Sequence, residues 1–408
     1  MTLFSFIKKL CDYAWLVMIF SFYSITFQPT GNVITNIITG IFISLVVVLI
    51  ILEGKKIKIS ITIFFYSCFM VLSLMSVFYS IDYYSTLTRA ITIVQVFILM
   101  VACYWYFISL RNIEFVLKSI VYAGVFGSSI LLIQQDPFGG YRLGTIIGDP
   151  NTVGIILSYS FLVSIYLSIF NKKKVFFLLA SIILFSVFLT GSRSSIVVII
   201  SGLLTLTVLK SIHNPIKSKV TPFIFLFLVV SLGYNLIFEF DFLYDILGRR
   251  ITGLIERYMF GSSSEESSSY YRTLMIIKGF DFFQNNPILG YGLETYRTLF
   301  LQESGIFSYS HNNYIELLVS LGLIGTIIYY LMYGSIFLYA LKITKLKDNY
   351  VTLVIVLIIS MLVAHVFLVF YYVKHEVLFL SLMSAILYKI NKESWIRNEK
   401  IKDSTHCS

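Results

Sequence analysis

Apolar runs of membrane-spanning length alternate with short polar breaks along nearly the whole chain. They fall at about Leu10–Phe27, Val33–Leu52, Ile59–Tyr79, Ala90–Leu110, Phe115–Gln135, Thr152–Phe170, Val175–Thr190, Ser194–Leu209, Val220–Phe238, Tyr314–Leu341, Tyr350–Tyr372 and Glu376–Ile390. A helix needs roughly 20 such residues to cross a bilayer, so the pattern predicts an all-α integral membrane protein of about twelve transmembrane helices. The alternation is interrupted once, by a polar interval from 239 to 313. That interval is too long for a turn and is expected to fold over one membrane face. The chain thus divides into spans one to nine (1–238), an extracytoplasmic catalytic loop (239–313), spans ten to twelve (314–390) and a cytoplasmic tail (391–408), all within one integrated membrane domain.

Inside the loop, Asp241–Met259 and Tyr270–Asn286 read as amphipathic helices joined by the flexible, polar, Ser-rich linker 261–269. Pro287 ends the second of these, and Gly290-Tyr291-Gly292 marks a turn.

Composition agrees with the pattern: 58% of the residues are hydrophobic and 13% charged, against about 25% charged in soluble domains. Lysines cluster in every second loop and in the C-terminal tail, which places both termini in the cytoplasm. The formal charge of +10 is then accounted for by topology and anionic lipid, with no need for nucleic acid. The first run follows Lys8-Lys9 but has no small-residue cleavage site, so it reads as a retained span. Cys11, Cys68, Cys103 and Cys407 have no CxxC spacing, which supports neither a disulfide framework nor a thiolate metal site.

The opposite face carries mostly arginine: Arg89, Arg142, Arg193, Arg249, Arg250, Arg257, Arg272 and Arg297. A planar, permanently charged fork suits phosphate. The competing reading pairs these arginines with Asp82, Asp149, Asp241, Asp245 or Glu256 as structural bridges, and Asp136, Asp281 and Glu294 are likewise expected to pair with loop arginines or to be solvated. Charged groups are expected to stay at the membrane rims.

His311 precedes a helix whose expected cap is Asn313, with Glu316 three residues on. A neutral imidazole there, with an ordinary pKa near 6.5, would accept a proton from a hydroxyl at neutral pH. The plainer reading is an interfacial histidine packed between Tyr309 and Tyr314. The full string is more telling: His311-Asn312, nine residues, then Gly322-Leu323-Ile324-Gly325-Thr326. With Arg272, Asn286-Pro287-Ile288-Leu289-Gly290-Tyr291-Gly292 and Thr190-Gly191-Ser192-Arg193, it resembles the O-antigen ligase and Wzy-type polysaccharide polymerase superfamily. Ile276 stands where that family's element after Arg272 has Leu. Gly148-Asp149-Pro150-Asn151 is similar to a further element, although Asp as N-cap with Pro behind it explains it structurally. Gly322 and Gly325 are expected to serve close helix packing.

The resemblance implies a GT-C-like membrane glycosyltransferase in which His311 is the base and Arg193 and Arg272 face a polyprenyl pyrophosphate. Arg142, Arg249, Arg250, Arg257, Asn312 and Asp149 are further substrate-binding candidates. Because polymerases and ligases share these motifs and nothing in the chain shows a lipid A or protein acceptor, a polymerase of capsule, O-antigen or exopolysaccharide repeat units in a bacterial plasma membrane is expected. The lipid-linked oligosaccharide would be both donor and acceptor, with a chain-length regulator as a further partner. An O-antigen ligase or protein O-oligosaccharyltransferase is the alternative within the superfamily, and a lipid-linked-oligosaccharide flippase or transporter the alternative outside it. No metal ligand set, nucleotide motif or other cofactor is expected. His375-Glu376 fails as a zinc motif because position 379 is Phe.

Overall fold

The computed structural model of the chain describes residues 3–24, 31–54, 59–110, 112–134, 149–211, 267–344 and 348–406, with a few isolated positions between them. Among these residues there are helices and turns and no strand. The helices are α1 (Leu3–Ser24), α2 (Gly31–Glu53), α3 (Ile61–Met75), α4 (Tyr83–Ser109), α5 (Glu114–Gln134), α6 (Pro150–Phe170), α7 (Val175–Leu189), α8 (Arg193–Ser211), α9 (Ser267–Asn285), α10 (Tyr296–Ser304), α11 (Asn313–Ile343), α12 (Asn349–Ala364) and α13 (Lys374–His406). Seven are long and apolar enough to cross a membrane: α2, α4, α5, α6, α8, α11, and α3 with the 3-10 turn Ser76–Phe78 that extends it. Two more, α7 and α12, are apolar but shorter. The protein is a multi-pass membrane protein. Eleven of the expected spans fall on helices. The ninth, Val220–Phe238, lies outside the described residues, as does the expected helix Asp241–Met259.

Without a hydrophobic drive between helices in lipid, close packing depends on small residues. On α5, a Cβ at Gly127 would lie 2.5 Å from the Tyr23 carbonyl of α1, and one at Gly124 would lie 2.6 Å from Ser160 of α6. These two glycines hold three helices together. A smaller apolar cluster of Met275, Phe282, Tyr296, Phe300, Ile315 and Val319 seats α9 and α10 on the first turns of α11. Thr298 of α10 also donates to Asp82 (2.8 Å), which caps α4.

Two departures from the hydropathy pattern shape the site. The first is that α12 stops at Ala364, where the apolar run Tyr350–Tyr372 had read as one span. Residues 365–373 turn back through the bundle, and their polar backbone is satisfied by Asn313. Its Oδ1 accepts from the Phe370 and Tyr371 amides at 2.8 and 3.1 Å, and its own amide donates to the His365 carbonyl at 2.8 Å. Helix α13 therefore starts inside the bundle: Ser381 donates to the Met100 carbonyl (2.9 Å) and Lys389 to that of Leu110. This register sets the first turn of α13 well down α4. The same turn brings an acid and a histidine together in the protein interior. Glu376 is 2% exposed and fully buried His365 lies 2.8 Å from it through Nε2. The Tyr333 hydroxyl donates to the same carboxylate oxygen, and Tyr330 Oη lies 3.2 Å from His365 Nδ1. These partners share Oε1 of Glu376, whereas its Oε2 is buried with no hydrogen-bond partner.

The second departure is a break in α11 at Gly322, which has φ +61° and ψ −162°. The interrupted helix leaves backbone groups that the 286–292 turn satisfies. Tyr291 and Gly292 amides donate to the Val319 and Ser320 carbonyls (3.0 and 2.9 Å), and the Leu323 amide donates to the Pro287 carbonyl (2.8 Å). A Cβ at Gly322 would sit 2.3 Å from the Ile288 carbonyl oxygen. Gly322 thus admits a loop backbone, and the expected close helix packing is not its role.

Candidate active site

The short segment between α10 and α11 carries His311, and its geometry is set from both sides. Asn312 caps α11, its Oδ1 accepting from the Tyr314 and Ile315 amides at 2.9 and 3.1 Å, while its Nδ2 donates to the Val366 carbonyl (3.2 Å). The expected cap, Asn313, is displaced by one position because its side chain is taken up by the 365–373 turn. Glu316 reaches back to the Ser310 amide (3.0 Å), beyond the cap. Asn312 therefore positions the segment, with both ends of its amide engaged by protein.

Pinned at both ends, His311 adopts a left-handed backbone with φ +53°, an unfavourable conformation for a residue with a Cβ, of the kind that concentrates at functional sites. Its ring lies over Tyr309, with centroids 3.9 Å apart and planes 33° apart. The buried Nδ1 has no hydrogen-bond partner. Burial first, then the charges of Arg272 and Arg297, lower the His311 pKa to about 4, with Asp149 pulling the other way. The imidazole is thus neutral at pH 7, as expected. It is also a weaker base in the free protein than the unperturbed value suggested.

Arg272 lies on α9 and is half-buried; with Arg297 it acts on both His311 and Tyr309. Asp149 caps α6 through the Asn151 and Thr152 amides (3.3 and 3.1 Å), and Pro150 follows it as the first helical residue. That is the structural explanation anticipated for it, although its charge is still felt at His311. Arg193 opens α8, whose first turn packs on α6 beside the same end: a Cβ on Gly154 would lie 2.4 Å from Ser195 Oγ. Asp149 at the start of α6 thus lies close enough to act on His311, and the Arg193 end of α8 packs against the same end of α6. Arg142, Arg249, Arg250 and Arg257 lie outside the described residues.

Glu294 was not among the expected site residues. It is 8% exposed, has φ +64°, and gathers two of the arginines. Arg89 Nε lies 2.7 Å from its Oε2 and Arg297 Nη2 lies 3.0 Å from its Oε1, while Tyr371 donates to Oε2 at 3.4 Å. Arg89 also sits 3.5 Å from the Tyr372 ring centroid, and Arg297 sits 5.3 Å from that of Tyr309. The structural-bridge reading therefore holds for Arg89 and Arg297, with Glu294, one of the carboxylates expected to pair with loop arginines, as the shared partner. Its burial, its left-handed backbone and the fact that it gathers two arginines at once are what the structure adds. A cavity of about 370 Å³ opens beside this cluster, walled by Arg89, Glu294, Arg297, Thr298 and Phe307.

Among the described residues no group of three or more His, Cys, Asp or Glu is arranged to hold a metal ion. What the end of the bundle does offer is a neutral imidazole with an empty ring nitrogen, set among cations. No curated protein matches the chain. Residues 175–330 match the family model described as O-antigen ligase, and over that interval, from the start of α7 into α11, the chain is similar to the O-antigen ligase and Wzy-type polymerase superfamily of membrane glycosyltransferases.

Proposed function

We propose that the protein is a polymerase of surface-polysaccharide repeat units, moving a glycan from polyprenyl pyrophosphate to an acceptor sugar at the extracytoplasmic face. The observation that carries this reading is His311, neutral and unpartnered at Nδ1 with Arg272 and Arg297 acting on it. In the reaction the acceptor oxygen attacks the anomeric carbon, the bond from that carbon to the phosphate oxygen breaks, and the pyrophosphate leaves with the bonding pair. The hydroxyl proton passes to His311. Arg193 and Arg272 stabilise the charge that builds on the leaving oxygen, as preorganised cations do best away from water. A pyrophosphate also offsets the cations that depress His311, so the imidazole becomes a better base once donor is bound. Pyrophosphate is already a good leaving group, so neither nucleotide nor metal is required.

In this reading about twelve spans place both termini in the cytoplasm of a bacterial cell, with the 239–313 interval outside and a chain-length regulator as a further partner. A ligase or protein O-oligosaccharyltransferase would use the same three residues and differ in acceptor. The buried Glu376–His365 pair is a feature that transporters also use, so the flippase reading keeps one argument. One assay separates them. Purified protein given lipid-linked oligosaccharide alone, in excess chelator, should yield a ladder of polymer, and His311→Ala should lower the rate by about 100-fold or more. Transfer to a core or protein acceptor without a ladder would make it a ligase. Near-normal transfer by His311→Ala would remove the base, and a rate that collapses with chelator and returns with Mg²⁺ would shift the charge from arginine to an ion.

A further inference from the structure

The largest cavity among those described is separate from His311. It encloses about 690 Å³ between α2, α4, α6 and the 372–375 segment, and it meets the smaller cavity at Arg89 and Thr92. Its walls are of two kinds. Ile43, Val96, Ile98, Leu99 and Ile156 make one part apolar, whereas Lys374 and His375 stand at another. The register of α13 against α4 puts those two beside Arg89 and Thr92, where the apolar part of α4 begins.

Lys374 is a charge in an unfavourable place. Its ammonium lies 2.5 Å from Asn36 Oδ1 and 5.6 Å from the Phe22 ring centroid, and no carboxylate is within salt-bridge reach among the described residues. It also occupies the first position of a helix, where the helix dipole repels a cation and attracts an anion. Arg89 does not need an external anion, being held by Glu294. Beside Lys374, the Nε2 of His375, a residue 3% exposed, is buried without a hydrogen-bond partner. A cation and an empty polar nitrogen on the wall of a cavity otherwise rich in hydrocarbon are the complement of a molecule with a negative head and an apolar tail.

The geometry points to a lipid site: the cavity binds the phosphate head of an anionic lipid, with Lys374 as counter-ion, His375 as hydrogen-bond partner, and the apolar wall between α2 and α4 taking a hydrocarbon chain. The site does not depend on the transfer reaction proposed above. Its occupant is a phosphate-bearing lipid whether that lipid comes from the bulk bilayer or is a polyprenyl carrier.

The test counts lipid retained by full-length protein in neutral detergent, by native mass spectrometry, on titration with phosphatidylglycerol, a polyprenyl phosphate or phosphatidylcholine. It is run in the wild type and in Arg272→Lys, so that binding at the proposed pyrophosphate clamp is separated from binding here. Anionic lipid should be retained over phosphatidylcholine, and Lys374→Gln should weaken it roughly fivefold in both backgrounds. Retention of phosphatidylglycerol and polyprenyl phosphate alike identifies a bulk lipid site; preference for the polyprenyl phosphate identifies a carrier site. Gly40 gives a second variant, since it lines the cavity and a Cβ there meets nothing within 4 Å. Gly40→Leu should fill the tail's path without disturbing the fold and lower retention comparably. Undiminished retention in either variant, or equal retention of phosphatidylcholine, overturns the site. Such a result leaves the His311 reading untouched, because that rests on transfer.

Discussion

His311 and His365 both sit just off a helix end, one ahead of α11 and the other directly behind α12, yet they are built in opposite ways. Both ring nitrogens of His365 are engaged, by Glu376 at 2.8 Å and Tyr330 at 3.2 Å, in a residue with no exposure. His311 has a buried nitrogen with nothing on it and a left-handed backbone beneath it. A histidine with both nitrogens satisfied is fixed in orientation and joins elements together. One with an empty nitrogen among cations has its interaction still to make.

The largest effect should come from the satisfied histidine. His365→Ala leaves Glu376 in the bundle without that partner, and breaking a buried pair typically costs about 3 kcal/mol or more. Thermal unfolding in detergent should show that loss, with the remaining folded protein keeping much of its transfer rate; His311→Ala should show the reverse, and similar losses in both assays would dissolve the contrast. Next come the arginines. Arg272→Lys or Arg193→Lys retains charge but loses the planar fork, so the transfer rate should fall by about 100-fold at unchanged unfolding temperature. Normal rates in both would make these arginines structural.

Gly322→Ala tests the frame that holds the His311 segment. At φ +61°, with the Ile288 carbonyl oxygen 2.3 Å from the added Cβ, stability should drop by about 2 kcal/mol. An unchanged unfolding temperature would mean that the break in α11 is not required. The smallest effect is in pH dependence. Because the His311 pKa is lowered to about 4, the free protein keeps a neutral imidazole down to well below pH 6.5, and kcat/KM should hold until the pH approaches that value. Arg297→Gln removes one of the depressing charges and should move the acid limb upward by a fraction of a unit. A downward shift would contradict the electrostatic account. The same sign governs stability: the unfolded chain takes up this proton first, so His311's contribution is present above pH 6.5 and is lost as pH falls toward about 4.

Much of this was legible in the sequence because spacing survives folding. The helix start after His311 and the turn at Gly290 read correctly, since a helix start or a positive φ demands particular residues at fixed offsets, whereas Gly322 was read as helix packing and proved to be a break. The cap was read one residue late because Asn312 and Asn313 are chemically identical, and only the contact with Phe370 and Tyr371 decides which one serves α11. Hydropathy ran through Ala364 because it measures side chains and is blind to a turn whose backbone is satisfied from elsewhere. Glu294 was expected to pair with a loop arginine, but which one was out of reach: Arg89 lies 205 positions away from it, and no local pattern encodes such a meeting.

The docked break in α11 also constrains how the chain can be made. Helices enter a bilayer with their backbone groups already paired, but α11 does not pair its own at Gly322. The carbonyls of Val319 and Ser320 and the amide of Leu323 are completed by residues 287–292, which leave the ribosome earlier than the helix they complete. The backbone pairing at this end of the protein therefore cannot be completed until Gly322 and its neighbours have been made.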